Sequence, residues 1–281
     1  MNTKYILYNP LAGNGKCKED AELLESLYEN PEYISMKNIR NYRIFLEGLD
    51  ASDEIILCGG DGTLNRFIND TDGIEFGNPV WYFAAGTGND FAKDIGIGQA
   101  EPFRINDYIK NLPTVTVNGK TYRFLNGVGY GIDGYCCEVG DKLREEGKIP
   151  NYTAIAVRGL LYGYKPTGAK ITVDGKTKIY RRVWIAPTMN GRYYGGGMMP
   201  SPGQNRTNPD HEVSLAVVHD AGKLRTLLVF PKIFKGTHTK HRSMIDIFTG
   251  HHITVEFDRP TPLQIDGETI RNVSRYEVTA Q

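Results

Sequence analysis

Three short stretches of this 281-residue chain combine glycine with hydrogen-bonding side chains in a pattern suited to phosphate. Gly59-Gly60-Asp61-Gly62-Thr63 follows an apolar run and precedes a segment that can start a helix. Glycine lets a backbone approach phosphate closely, and N–H groups at a helix N-terminus favour an anion. Asp61 would repel bare phosphate, so it makes sense if Mg²⁺ or a hydroxyl intervenes. The same residues also make a tight strand-to-helix turn capped by Thr63. Asn9-Pro10-Leu11-Ala12-Gly13-Asn14-Gly15-Lys16 follows a second apolar run. It is not a Walker A loop, because Pro occupies position 10 and Cys17 replaces Ser or Thr. Its N–H groups and Lys16 could still face a phosphate, and an ordinary loop is the equal alternative. Gly86-Thr87-Gly88-Asn89-Asp90-Phe91-Ala92 follows a third run, with Thr87 or Asn89 placed to cap a short helix. Three such loops at successive strand ends point to one composite site.

Other candidates carry less. A carboxylate held on a rigid turn can act as a proton acceptor. Asp266-Gly267 could project one from rigid strands, although Asp-Gly is also a common hairpin turn. Asp174-Gly175 is the same dipeptide and reads as a turn alone. Residues 129–134 match G-x-G-x-x-G, but they lack a convincing strand–helix–strand setting, which argues against a dinucleotide site. Residues 193–199, with three glycines and two methionines, read as sandwich core or loop before an acyl-chain cleft or lid. Lys165, Arg181 and Arg182 read as a solvated face before a contact with anionic lipid. His238 and His241 are i, i+3 neighbours without Cys or carboxylate support, a poor zinc pair.

These loops need a scaffold. Residues 5–8, 33–36, 54–58 and 80–84 read as strands. Residues 18–28, 39–49, 63–69, 89–95 and 105–112 read as helices between and after them. That alternation predicts a parallel sheet with right-handed crossovers. After Pro113 the pattern changes to short strands with Gly turns, including hairpins at Asn118-Gly119 and Asp174-Gly175. Residues 213–218, 252–257 and 263–265 add strands, and residues 224–234 form the one expected helix, kinked or ended by Pro231. A sandwich or barrel follows. The boundary falls near residue 112, giving domains 1–112 and 113–281.

Lys plus Arg number 33 and Asp plus Glu number 33, which argues against a dedicated nucleic-acid binder. Apolar residues at 40% and charged residues at 23% fit a globular chain. Cys17, Cys58, Cys136 and Cys137 form no C-x-x-C pair and read as reduced thiols in a cytosolic protein. The first apolar run is too short for a signal peptide, and no stretch reaches the roughly 18 apolar residues of a membrane span.

The motifs together resemble the diacylglycerol kinase catalytic family, which includes bacterial soluble lipid kinases and sphingosine and ceramide kinases. The resemblance rests on residues 9–13, on Gly-Gly-Asp-Gly-Thr-Leu-Asn at 59–65 and on Gly-Thr-Gly-Asn-Asp-Phe-Ala at 86–92. It continues through residues 126–133, 197–200, 234–238 and 264–268. Gly-Gly-Asp-Gly-Thr is shared with NAD kinases and resembles the phosphofructokinase motif, whereas the 86–92 segment is far more specific. The resemblance implies an α/β nucleotide-binding domain followed by an antiparallel β-sandwich, the last residues packing back on the first domain. It implies ATP contacts from Asn9, Pro10, Leu11, Ala12, Gly13 and Lys16, from Gly59, Gly60, Asp61, Gly62, Thr63, Leu64, Asn65 and Arg66, and from Thr87, Gly88 and Asn89. Asp266 would be the general base and Glu268 its acidic neighbour. Asp61, Asp90 and Asp133 would serve Mg²⁺. The implied partner is a lipid alcohol, with diacylglycerol first, met by a cytoplasmic enzyme at the membrane surface, and a homodimer is compatible with the sequence.

Two departures stand out. Many family members carry Glu where this chain has Arg66. Residues 201–212 also differ, with Asp210-His211-Glu212 after a longer insert where relatives show Asp-Gly and some bind a structural Mg²⁺. Asp210 is the candidate for a retained metal role. The alternatives are an NAD kinase-like enzyme on a soluble substrate and a weakly active nucleotide- or lipid-binding regulator.

Overall fold

The computed structural model describes residues 2–10, 17–22, 24, 27–98 and 101–280. The expected ATP contacts at Leu11, Ala12, Gly13 and Lys16 lie outside the described residues. The chain divides into two compact units, Met1–Asn111 and Leu112–Gln281.

The first unit runs β1 (Lys4–Tyr8), α1 (Cys17–Glu22), β2 (Glu32–Ser35), α2 (Tyr42–Glu47), β3 (Glu54–Gly59), α3 (Asp61–Asp70), β4 (Val80–Ala84), α4 (Asp90–Ile95), β5 (Phe103–Arg104) and α5 (Asn106–Ile109). Strand order is β2-β1-β3-β4-β5. The first four strands are parallel, and β5 is an antiparallel edge too short to announce itself by periodicity. Ile55, Ile56, Leu57 and Cys58 are all fully buried, as a parallel strand covered on both faces requires. In α3, Leu64, Phe67 and Ile68 face the core while Arg66 and Asp70 face solvent. The helix expected over 39–49 is shorter because the Asn41 side chain accepts the Arg43 and Ile44 N–H groups and so starts α2 late. Strand order reverses between β1 and β3, and ligands of open α/β sheets bind beyond the carboxyl ends of strands at such a point.

The second unit runs β6 (Thr114–Val117), β7 (Lys120–Arg123), β8 (Gly127–Tyr130), α6 (Ile132–Glu145), α7 (Tyr152–Arg158), β9 (Thr167–Val173), β10 (Lys176–Ile185), β11 (Thr188–Met189), β12 (Val213–His219), α8 (Lys223–Val229), β13 (Ile245–Gly250), β14 (His252–Ile265) and β15 (Glu268–Thr279). All its strand pairings are antiparallel. The path is β7-β6-β15-β14-β8-β11-β12-β10-β9, and β9 pairs back with β14 to close a ring. β14 makes closure possible by splitting one edge between two partners. Residues 253–257 pair with β9, and residues 263–265 pair with β8. Register shifts along β14 fall around Pro260 and Pro262, which cannot donate to the ladder, so the two expected strands are one bulged strand. Inside the ring, Tyr130 stacks on Phe257 with centroids 3.9 Å apart, and Val173, Leu215, Val255 and Tyr276 complete the same core.

Two helices in this unit add to the one that was expected. The segment after β8 is a 14-residue helix, α6, followed by α7 and a turn of π-helix at Gly159–Gly163. Gly134 and Gly140 lower helix propensity but allow close packing. A Cβ at Gly134 would meet the Pro262 carbonyl oxygen at 1.9 Å, and one at Gly140 the Tyr152 hydroxyl at 2.7 Å. Residues 129–134 therefore do lie between a strand and a helix. They are still no dinucleotide fingerprint, because β8 pairs only with antiparallel neighbours. The expected helix at 224–234 is α8 followed by a 3₁₀ segment, Phe230–Lys235, with Pro231 at its start.

Candidate active site

In the first unit, the loops after β3 and β4 are locked together. A Cβ on Gly86 would lie 2.4 Å from Gly60 Cα and 2.7 Å from Asn89 Oδ1, so the two backbones touch where only glycine fits. Asp61 completes the lock. Its Oδ2 accepts the Asp90 N–H at 2.8 Å and its Oδ1 the Phe91 N–H at 3.0 Å. Asp61 thus caps α4 from a different loop. Asn89 does not cap it. With φ of 47°, its side chain turns back, accepting from Gly86 N–H at 3.0 Å and donating to the carbonyls of Ala84 and Gly86. Nor does Thr63 cap α3. Gly60 occupies the cap position, and the buried Thr63 hydroxyl has no hydrogen-bond partner among the described residues.

The other expected nucleotide residues divide. Gly62 lies in the first turn of α3 and Thr87 and Gly88 in the loop after β4, and all three are exposed. Leu64 is fully buried in the core, so only its backbone N–H, bonded to Gly60 O, belongs to the loop. Asn65 is buried, and its backbone carbonyl accepts from Asn69 Nδ2. Arg66 pairs with Asp70 at 3.3 Å along the exposed face of α3. Asn9 and Pro10 follow the end of β1, both half-buried.

In the second unit, Asp266 and Gly267 form the turn joining β14 to β15, with φ of 46° and 96°, as a type I′ turn requires. The Asp266 carboxylate accepts three consecutive backbone N–H groups, from Leu125 at 2.5 Å, Asn126 at 2.8 Å and Gly127 at 2.9 Å. Asp174 also accepts backbone N–H groups, those of His251 and His252, so clamping a neighbouring strand is common to both Asp-Gly turns. Asp266 differs in its surroundings. Gln264 accepts from Gly267 N–H at 2.7 Å and donates to Asp133 Oδ2 at 3.0 Å, linking the turn to the first turn of α6. A Cβ on Gly129 would collide with that pair, 1.5 Å from Asp133 Oδ2. Burial pushes the Asp133 carboxyl up to about 6, against the opposing hydrogen bond from Gln264. Burial beside Asp133 likewise pushes the Cys136 thiol up to about 12. Glu268 is exposed at the start of β15.

Sequence reasoning missed Arg206. Its guanidinium donates to the Leu125 carbonyl at 3.2 Å and to Asn126 Oδ1 at 2.9 Å, beside the three amides that hold Asp266. It lies in the departing stretch, where no motif pointed to it. In that stretch Gln204 donates to the carbonyls of Asn190 and Glu212, while Asp210 is exposed and its backbone carbonyl accepts from His251. The motifs at 197–200 and 234–238 prove to touch. Met199 N–H donates to Ile233 O at 3.0 Å, and buried His238 pairs through Nε2 with Pro200 O at 2.9 Å. Asp61 and Asp90 belong to the first unit and Asp133 to the second. Among the described residues, no group of three or more His, Cys, Asp or Glu is gathered to hold a metal. No described helix is long and apolar enough to cross a membrane.

This pairing of an α/β unit carrying glycine loops with an all-antiparallel unit is that of a known class. Residues 4–117 match the family described as diacylglycerol kinase catalytic domain, and residues 126–279 match YegS C-terminal NAD kinase beta sandwich-like domain. The chain thus carries a diacylglycerol kinase catalytic domain over residues 4–117 and belongs, by the match that spans more than half of it, to the family with the YegS C-terminal NAD kinase beta sandwich-like domain. It is 26% identical to a diacylglycerol kinase of Mycobacterium tuberculosis over 68% of this chain, which spans 62% of that protein's length. It is 25% identical to "Putative lipid kinase YtlR" of Bacillus subtilis over 95% of this chain and 94% of that one. In fold it resembles the crystal structure of "a putative diacylglycerol kinase" from Bacillus anthracis str. Sterne, with a TM-score of 0.69 at 20% identity over 100% of this chain and 92% of that one.

Proposed function

We propose that the chain is an ATP- and Mg²⁺-dependent lipid kinase. Residues 1–112 bind the nucleotide and residues 113–281 bind the lipid and supply the base. The observation that carries this reading is the lock between the two glycine loops. Backbone contact at Gly60 and Gly86 keeps side chains away from the end of the sheet, and Asp61 spans to α4. Such a surface offers N–H groups to phosphate, and the buried Thr63 hydroxyl is a further donor beside it. Mg²⁺ characteristically keeps several waters and takes one or two carboxylates plus substrate phosphates. Asp61 and Asp90, adjacent across the two loops, fit that donor set. When bound, the ion shields the negative charge of the phosphates from the incoming hydroxyl.

The chain's own residues do the rest. Three backbone N–H groups and a rigid turn fix Asp266, so its orientation is set before substrate arrives. The Leu125 N–H bonds Oδ2, and the Asn126 and Gly127 N–H groups bond Oδ1. As the lipid oxygen bonds to the γ-phosphorus and the bridge to the β-phosphate breaks, the hydroxyl proton passes to Asp266. Diacylglycerol is the acceptor we favour, supported by the Mycobacterium tuberculosis relative. Glu268 stands two residues on as the acidic neighbour. The test is transfer of labelled γ-phosphate, with Mg²⁺, to a panel of lipid alcohols in mixed micelles and to NAD. Labelling of diacylglycerol supports the reading. Labelling of NAD alone, or of nothing despite ATP binding, contradicts it.

A further inference from the structure

The stretch from residue 221 to residue 245 carries six Lys or Arg and no Asp or Glu, in a chain whose net charge is zero. It builds α8 and the 3₁₀ segment Phe230–Lys235. On α8, Thr226 and Val229 are buried, while Leu224 and Leu228, four residues apart on the opposite face, are each 75% exposed. Phe234 is 40% exposed, and Tyr162, on the neighbouring π-helical turn, is 81% exposed. Lys223 ties the two elements by donating to the Leu161 carbonyl at 2.7 Å. Lys223, Arg225, Lys232 and Lys235 are all exposed. Among the described residues, Arg225 bonds the Ser243 hydroxyl and Lys232 pairs with His241, and neither of these partners is a carboxylate.

We infer that this face docks the protein on an anionic lipid bilayer. Leu224, Leu228, Tyr162 and Phe234 enter the interface, and the surrounding cations meet lipid phosphates. Exposed leucines ringed by cations are the pattern of an interfacial helix, bound by apolar burial and by attraction to anionic headgroups. A second copy of this chain fits worse, since a two-fold contact would set the same cations against each other. The inference deepens the lipid-kinase reading and rests on it for its purpose, because an enzyme acting on a lipid hydroxyl must reach a bilayer.

Co-sedimentation of the full chain, without ATP or diacylglycerol, tests it. One set of vesicles is phosphatidylcholine alone, and the other is equal parts phosphatidylcholine and phosphatidylglycerol. Wild type should sediment with the anionic vesicles only, and less at high salt. The variants Leu224→Gln/Leu228→Gln and Lys232→Glu/Lys235→Glu should each bind about tenfold more weakly or worse. Both should keep wild-type transfer to a short-chain acceptor dispersed as monomers. Wild type that ignores anionic vesicles, variants that bind as it does, or a dimer that the variants dissolve would overturn the inference. Binding without transfer to any lipid would leave the docking face standing and sink the kinase reading instead.

Discussion

Asp133 shows what one buried carboxyl contributes. It sits in the first turn of α6 with Gln264 as its donor, and burial lifts it from 3.8 to about 6. Between those values the folded state holds a proton that the unfolded chain has released. Stability therefore falls as pH rises through that window and stays lower above it. Asp133→Asn keeps an oxygen for Gln264 and removes the ionisation. Urea unfolding in the presence of a chelator should show the variant more stable above pH 6, by at most about 3 kcal/mol, with the downward contribution of Asp133 between pH 4 and 6 removed from its profile. Equal profiles for the two proteins would contradict burial as the cause. Asp61 belongs to the same scale but does different work. Its carboxylate joins two loops, so its place in the glycine motif has a structural reason before any metal is considered.

At the scale of elements, the loops after β3 and β4 act as one piece. Gly86→Ala tests this, because its Cβ would meet backbone at Gly60, which cannot yield as a flexible side chain can. The loops must part, at a cost of about 1–3 kcal/mol. The proposal expects ATP affinity, read by calorimetry, to fall at least tenfold while the far-ultraviolet spectrum is unchanged. ATP binding as tight as in wild type would show that the close approach is not needed. A neighbouring glycine gives the contrast. Gly62 would meet nothing within 4 Å, so Gly62→Ala should disturb the packing far less.

Across the whole molecule, each unit makes its own prediction. Adding an ATP analogue should slow amide exchange at residues 60–64 and 86–91, while the core strands β9, β12 and β15 exchange as before. Protection confined to the second unit would contradict the assignment of the nucleotide to the first. The parallel strands β1 to β4 were legible because buried runs such as Ile55 to Cys58 alternate with helical spacing. Helices α6 and α7 were not, because glycines at 134 and 140 serve packing against β14 and Tyr152, and that need is tertiary. The ring closure at β14 was equally hidden, since residues 252–257 and 263–265 read as two strands and prove to be one, bulged around Pro260 and Pro262. In the candidate site, Asp61, Asp133 and Asp266 could be named from motifs. Their partners could not, because the cap from Asp61 to α4 and the bonds from Arg206 to residues 125 and 126 join residues far apart in sequence.

The central claim is that Asp266 takes the proton from a lipid hydroxyl. Asp266→Asn retains an acceptor oxygen for the amides of residues 126 and 127, costs the Leu125 N–H its acceptor and removes the basic carboxylate. Labelled phosphate transfer to diacylglycerol should be compared between wild type and this variant, with ATP binding measured on both. Wild type should transfer phosphate, and the variant should lose at least a hundredfold in transfer with unchanged ATP affinity. Transfer by the variant at the wild-type rate would contradict it.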